Sequence, residues 1–259
     1  MVKPSTYLNS MYVWTIVLLL ILAAGASLSR NAFPVSLVIA ILSASVFDLL
    51  LKRLYKKPLR FPFSAAITGA IIGSIAPFTA SPLIVILASL VAILSKFLIR
   101  IKGFNIFNPA TLGLLVSLAL FSLGDEWWVA VSYNFLGFSI ILTPLLILAN
   151  YKAMKLRTSL SFLLVISILY SLTGFVNVPY TSEGAISFLY SLPYYFAFIM
   201  VSEPKTSPYR SKEQIIFGIS VAVLLFIFMY YSIPYSFFIS LLLGNLGYAL
   251  YRIRALKNR

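Results

Sequence analysis

One stretch decides the fold class, residues 33–53, which read FPVSLVIAILSASVFDLLLKR. Its first nineteen residues contain a single charged side chain, Asp48, and the stretch ends on two cations, Lys52 and Arg53. About 20 apolar residues in an α-helix cross the hydrocarbon core of a bilayer. The stretch therefore predicts a membrane-spanning helix with a basic end, in which Asp48 pairs with Lys52 one helical turn later. Asp48 is also the only carboxylate inside a predicted span, so binding of an ion within the membrane is the alternative role.

The rest of the chain repeats this pattern. Hydrophobic residues make up 61% of the 259 residues and charged residues only 10%, so the bilayer must be the main solvent. We predict an all-α polytopic membrane protein with about ten transmembrane helices, forming a single transmembrane domain over residues 1–259. The predicted spans are 12–28, 33–51, 63–78, 82–99, 109–123, 128–151, 159–176, 185–201, 213–231 and 235–251.

Two residue types are missing from the sequence, cysteine and histidine. Their absence excludes disulfides, thiolate-bound zinc, cysteine-bound iron–sulfur clusters and histidine-bound haem held by this chain alone. We therefore predict no metal site.

The positive charge follows the predicted spans. Nineteen of the twenty Lys and Arg residues fall at the ends of even-numbered spans or at the termini, and Arg30 is the exception. By the positive-inside rule this side is cytoplasmic. The net charge of +14 is thus an orientation signal for a multi-pass protein of the cell membrane, with cytoplasmic N- and C-termini, and predicts no nucleic-acid partner.

Five spans in each half indicate two inverted five-helix repeats, with halves of about 11–125 and 126–252. An odd number of spans makes the two halves run in opposite directions. Residues 77–82, PFTASP, separate spans 3 and 4, and residues 204–208, PKTSP, separate spans 8 and 9. Spans 3 and 8 are short, as broken helices beside a membrane-embedded site are. Two ordinary Ser-Pro helix starts remain the alternative.

The first motif, residues 103–113, reads GFNIFNPATLG. Asn108 and Pro109 are suited to the N-cap and first position of span 5. Such a helix start can hold an anionic or carbonyl-bearing ligand, although most caps bind nothing.

The second motif, residues 202–208, reads SEPKTSP and holds a carboxylate, a lysine and hydroxyls that could bind a polar ring edge or phosphate. A solvated loop is the alternative. Ser211 and Gln214 have the spacing of a capping box. The third motif, residues 244–247, reads GNLG, and we expect Asn245 to face other helices.

In this order the three motifs resemble the RnfD/NqrB family of membrane proteins, which are components of the Rnf complex and of the sodium-pumping NADH:quinone reductase. The resemblance covers most of the chain, including SAAITG at 64–69, FNPA at 107–110, EPKTSP at 203–208 and GNL at 244–246. It implies a urea-transporter-like membrane subunit of an ion-translocating electron transport chain. Other membrane and redox subunits are then its partners, and it is a component of a flavin-linked oxidoreductase complex instead of a stand-alone enzyme.

The resemblance also implies a flavin. Family members attach FMN covalently through a threonine in an outward-facing Ser/Thr-Gly-Ala-Thr motif, which is missing here, so covalent FMN is not expected. A non-covalent flavin, FMN or riboflavin, needs an apolar slot and a few hydrogen-bond donors. The expected cofactor-binding residues are Phe104, Phe107, Asn108, Thr111, Glu203, Lys205, Thr206 and Ser207.

Two other functions stay open. A small-solute channel or transporter would use the same scaffold with its uncharged interior, and a non-redox scaffold subunit would only anchor partners. The sequence favours the electron-transfer subunit because three motifs match in order.

Overall fold

The computed structural model describes residues 11–101, 103–129, 136–173 and 192–257. The predicted all-α class is confirmed, since these residues form nine α-helices, one π-helix and two short strands. In chain order these are α1 Met11–Arg30, α2 Val35–Leu54, α3 Phe63–Ile75, α4 Pro82–Leu98, β1 Arg100–Ile101, β2 Phe104–Asn105, α5 Pro109–Leu120, α6 Leu136–Lys152, α7 Leu156–Thr173, the π-helix Phe196–Val201, α8 Ser211–Tyr230 and α9 Ser236–Lys257.

The helices follow the predicted spans. Within the described ranges, five helices are long and apolar enough to cross a membrane, namely α1, α2, α7, α8 and α9, and the apolar helices α3, α4 and α5 are shorter. The chain is an all-α polytopic membrane protein. The start of span 6, the end of span 7 and residues 185–191 of span 8 lie outside the described residues.

A small hairpin was not anticipated. Strands β1 and β2 pair antiparallel just before α5, with Ile101 opposite Phe104. Two residues per strand are too few for an alternating hydrophobic pattern, so the sequence carries no periodic signal for them.

The chain divides into two compact units, unit 1 over Met1–Ala149 and unit 2 over Asn150–Arg259. In unit 1, α2 packs on α3 and α4, α4 packs on α5, and α1 packs on α3. Helices α2 and α3 approach closely because Gly69 and Gly73 have no side chain. A Cβ built on Gly69 would lie 2.4 Å from the Ala40 carbonyl oxygen, and one on Gly73 would lie 2.4 Å from the Leu37 Cα. Small residues allow such close helix contacts in membranes.

Unit 2 has a similar order of contacts. Helix α7 packs on the π-helix and on α8, and α8 packs on α9. Gly218 of α8 lies against α7, where an added Cβ would stand 2.5 Å from the Thr158 carbonyl oxygen. The order of contacts from α7 to α9 is thus similar to that from α2 to α5, and the five-helix repeat stays a prediction. The inverted direction of the two halves stays a prediction.

The C-terminal end of α3 is closed by the segment that follows α5. Peptide N–H groups of Glu126 and Trp127 donate to the Ile75 carbonyl, at 3.0 and 3.4 Å. The buried Trp128 indole donates to the Gly73 carbonyl at 2.7 Å. The Glu126 carboxylate pairs with Arg30 at 2.5 Å. Arg30, the exception to the charge pattern, is therefore held by a carboxylate.

Replacing Gly69 by alanine tests the close packing of α2 and α3. We expect G69A to destabilise the protein by about 1–3 kcal/mol, because the new methyl group meets backbone atoms that cannot rotate away. Thermal unfolding in detergent, followed by size-exclusion chromatography, measures the loss. The matched control is G247A in α9, where nothing lies within 4 Å of an added Cβ. Equal melting temperatures for the two variants would contradict the packing.

Candidate functional site

The first motif forms the helix start that the sequence predicts. Asn108 is the N-cap of α5, its side-chain oxygen accepts from the Thr111 peptide N–H at 3.1 Å, and Pro109 is the first helical residue. Asn108 and Thr111 are buried, whereas Phe107 is half-buried and Phe104 is exposed. The cap therefore exists, and Asn108 uses one lone pair to close its own helix.

Thr111 differs from the other polar side chains of this motif. Its side chain is fully buried, and its Oγ1 has no hydrogen-bond partner in the described part of the chain. A buried hydroxyl without a partner costs free energy, on the order of 1–3 kcal/mol. Thr111 Oγ1 is thus a buried hydroxyl whose hydrogen-bonding capacity is unused among the described residues.

The second motif is a folded turn of unit 2. The Glu203 carboxylate accepts from the Thr206 hydroxyl at 3.0 Å, and the Glu203 carbonyl accepts from the Ser207 hydroxyl at 2.7 Å. Thr206 and Ser207 are buried, Glu203 is half-buried and Lys205 is exposed. Both hydroxyl protons are therefore used within the turn, and Lys205 is its exposed charged side chain.

Lys155, between α6 and α7, anchors this turn. Its side chain is fully buried, and its Nζ donates to the carbonyls of Ser207 at 2.9 Å and Pro208 at 2.6 Å. The amine also lies 3.5 Å from the centre of the Tyr209 ring. Desolvation lowers the pKa of Lys155 from 10.5 to about 7, with the positive charge of Arg252 adding to this and Glu203 opposing it.

Two buried amides attach further elements of unit 2. Asn245 of α9 is buried and donates to the Thr206 carbonyl at 3.4 Å. The prediction that Asn245 faces the rest of the protein is therefore confirmed. The third motif thus contacts the second. Asn150 of α6 donates to the Phe198 carbonyl of the π-helix at 2.8 Å. A π-helix frequently marks a functional position.

The predicted capping box at the start of α8 is wrong. The N-cap is Arg210, and Ser211 is already the first helical residue, without a side-chain capping bond. Gln214 instead donates to the carbonyls of Met154 and Tyr209, at 2.8 and 2.9 Å. Buried carbonyls need hydrogen-bond donors, and the Gln214 amide donates to these two loop carbonyls. Gln214 therefore does not cap its own helix, although its spacing from Ser211 suits a capping box.

The predicted pair of Asp48 and Lys52 is confirmed, at 2.5 Å along α2. Because the Asp48 carboxylate is paired with Lys52, an ion pair within α2 is a simpler interpretation of Asp48 than a ligand for an ion in the membrane. No group of three or more acidic side chains that could hold a metal ion occurs among the described residues.

The eight predicted cofactor-binding residues fall into two groups. Unit 1 contains Phe104, Phe107, Asn108 and Thr111, with Asn108 and Thr111 in direct contact. Unit 2 contains Glu203, Lys205, Thr206 and Ser207, where Glu203 contacts both hydroxyl residues. The flavin interaction expected of them stays a prediction.

Sequence reasoning missed Lys155 and Lys96. Lys96 is buried on α4 and donates to the Thr68 hydroxyl at 2.6 Å and the Ser64 carbonyl at 2.8 Å. Both lysines belong to the basic residues that the charge pattern assigns to one membrane side, and nothing local distinguished Lys155 from solvated neighbours. The one available signal was that Lys96 precedes the end of a continuous apolar run.

Comparison with known proteins identifies a family. The model of the NQR2, RnfD, RnfE family matches residues 2–139, just over half of the chain. The match includes the first motif, whereas the motifs at 202–208 and 244–247 lie beyond it. No curated protein matches the sequence.

The pKa of Lys155 predicts a pH dependence of stability. Because this pKa is lowered on folding, from 10.5 to about 7, the unfolded chain binds more protons between these values. Stability therefore rises with pH above about 7, by up to about 1.4 kcal/mol per pH unit. We expect the melting temperature in detergent to rise between about pH 7 and pH 9.5.

The variant K155M should remove this rise, since methionine does not titrate. K205M is the matched control, because Lys205 belongs to the same turn but is exposed. The interpretation is refuted when K155M and the wild type gain the same number of degrees over this pH range.

Proposed function

Because the chain belongs to the NQR2, RnfD, RnfE family, we propose that it is a membrane subunit of an Rnf- or Nqr-like ion-translocating electron transport complex. The family match over residues 2–139 is the observation that carries the proposal. The protein then resides in the cell membrane, with both termini in the cytoplasm. Its partners are the other membrane and redox subunits of the complex.

The distribution of polar contacts supports this topology. Arg30, at the end of α1, and Glu126, in the segment after α5, are on the side that the charge pattern makes the outer one, and they form an ion pair. Lys155 and Pro208 lie in loops placed on the inner side, and they are hydrogen-bonded. Contacts of this kind require the joined loops to share a side of the bilayer.

We further propose that the subunit holds a flavin, FMN or riboflavin, without a covalent bond. The residues of unit 1 fit such a group best. Thr111 supplies a buried hydroxyl that has no partner within the described residues, and Phe107 supplies a half-buried apolar ring. In unit 2, Thr206 and Ser207 hold their own turn, so Lys205 is the side chain there that can reach a phosphate. The flavin would supply the redox chemistry, and these residues would orient it.

Purification of the tagged chain from its native membranes tests the complex. We expect redox subunits to co-purify, and we expect flavin to appear in the supernatant after acid precipitation, with no flavin fluorescence in the denatured protein band. A chain that purifies alone, without flavin, contradicts the proposal. Solute flux into liposomes carrying that chain would then identify a channel.

The role of Thr111 is tested by T111V, which removes the hydroxyl and keeps the shape. Loss of one hydrogen bond of about 1 kcal/mol should weaken flavin binding about fivefold. The flavin content after dialysis against a dilution series measures the affinity.

T158V is the matched control, because Thr158 is also fully buried and its Oγ1 also lacks a partner within the described chain. Both variants should fold as the wild type does, since neither loses a protein hydrogen bond. Unchanged flavin affinity in T111V removes Thr111 from the proposed site.

A further inference from the structure

The basic loop, residues 52–61, comprises the last three residues of α2 and most of the connection to α3, and it concentrates positive charge. It contains Lys52, Arg53, Lys56, Lys57 and Arg60, and the whole stretch 49–124 contains no acidic residue. Asp48 neutralises Lys52 alone. The other four cations are exposed. The loop therefore presents four positive charges with no carboxylate of its own to balance them.

The start of this loop is ordered. Lys56 has a φ of 51°, in the left-handed region, and its peptide N–H donates to the Arg53 carbonyl at 3.1 Å. The Lys57 N–H donates to the Lys52 carbonyl at 2.8 Å. These bonds close the C-terminal end of α2, where the helix dipole favours cations. The backbone that carries Arg53, Lys56 and Lys57 is therefore held in place by hydrogen bonds.

Aromatic contacts attach the basic loop to the end of α4. The Tyr55 ring stacks on Phe97 with centroids 5.6 Å apart, and the Lys57 amine lies 4.6 Å from the centre of the Phe97 ring. Arg100, three residues after Phe97, is exposed as well. One end of unit 1 therefore carries five exposed cations from two neighbouring connections.

Large apolar side chains alternate with these cations. Leu54 is 75% exposed, Leu59 is 63% exposed and Phe61 is 70% exposed. Leu98, beside Phe97, is also exposed. Because the loop joins the ends of membrane helices, cations and apolar groups together lie where phosphate headgroups meet acyl chains.

We propose that this end of unit 1 is a binding surface for anionic phospholipid, formed by Arg53, Lys56, Lys57 and Arg60 around the headgroup phosphate and by Leu54, Leu59 and Phe61 along the acyl chains. The proposal goes beyond the proposed redox role. Basic clusters next to a membrane helix attract acidic lipids. Because the loop lies at the ends of membrane helices, its three exposed apolar chains are next to lipid acyl chains, which an acidic soluble partner does not supply. The alternation of the two kinds of side chain therefore favours lipid.

Native mass spectrometry of the full-length chain, in micelles doped with dioleoyl phosphatidylglycerol or dioleoyl phosphatidylcholine, tests the proposal. We expect phosphatidylglycerol to be retained about tenfold more strongly than phosphatidylcholine. The variant R53Q/K56Q/K57Q/R60Q should lose this preference and keep the affinity for phosphatidylcholine. The variant L54S/L59S should weaken the binding of both lipids.

The matched control is K152Q/R157Q/K212Q/R254Q, which removes four exposed cations from unit 2 and the same net charge from the chain. It should retain the preference within about twofold, whereas an equal loss in this variant would show a general charge effect and overturn the proposal. Equal retention of both lipids by the wild type, or displacement of phosphatidylglycerol by soluble polyglutamate, also overturns it. Size-exclusion profiles and circular dichroism establish that each variant is folded.

Discussion

Backbone hydrogen bonding inside the bilayer is the constraint on which the rest of this structure depends. Lipid offers no partner to a free N–H or C=O group, so a helix that ends at membrane depth needs protein groups at its end. Helix α3 has 13 residues and is about 20 Å long, which is less than the hydrocarbon core of about 30 Å. The peptide N–H of Glu126 and the indole N–H of Trp128 donate hydrogen bonds to carbonyls at its C-terminal end.

Unit 2 meets the same constraint with different residues. There the short element is the π-helix, and the turn after it contains the hydroxyls expected to bind a cofactor. Asn150, Lys155 and Asn245 donate to carbonyls of the π-helix and the turn. These three side chains thus satisfy backbone carbonyls, and the hydroxyls of Thr206 and Ser207 donate within the turn itself. Any ligand contact must come from groups that remain, such as exposed Lys205, and in unit 1 the buried hydroxyl of Thr111.

The features that sequence predicts well are local ones. Span positions follow from runs of apolar residues, and the cap at Asn108 follows from its own side chain and the proline after it. The features that escape prediction join distant positions. Lys155 and Ser207 are 52 residues apart, and no local pattern separates this lysine from its solvated neighbours. Gln214 escapes for the same reason, because its two acceptors lie outside its helix.

The ion pair of Arg30 and Glu126 has a consequence for biosynthesis. Its partners are 96 residues apart, and all of α2 to α5 is made between them. Because a ribosome synthesises the chain from its N-terminus, all four of these helices are complete before Glu126 emerges. Until then, the N–H groups of Glu126 and Trp127 and the indole of Trp128 cannot reach the carbonyls of Ile75 and Gly73. The close glycine contacts of α3 with α2 involve only residues made earlier. The ion pair can therefore form only after α2 to α5 have been synthesised.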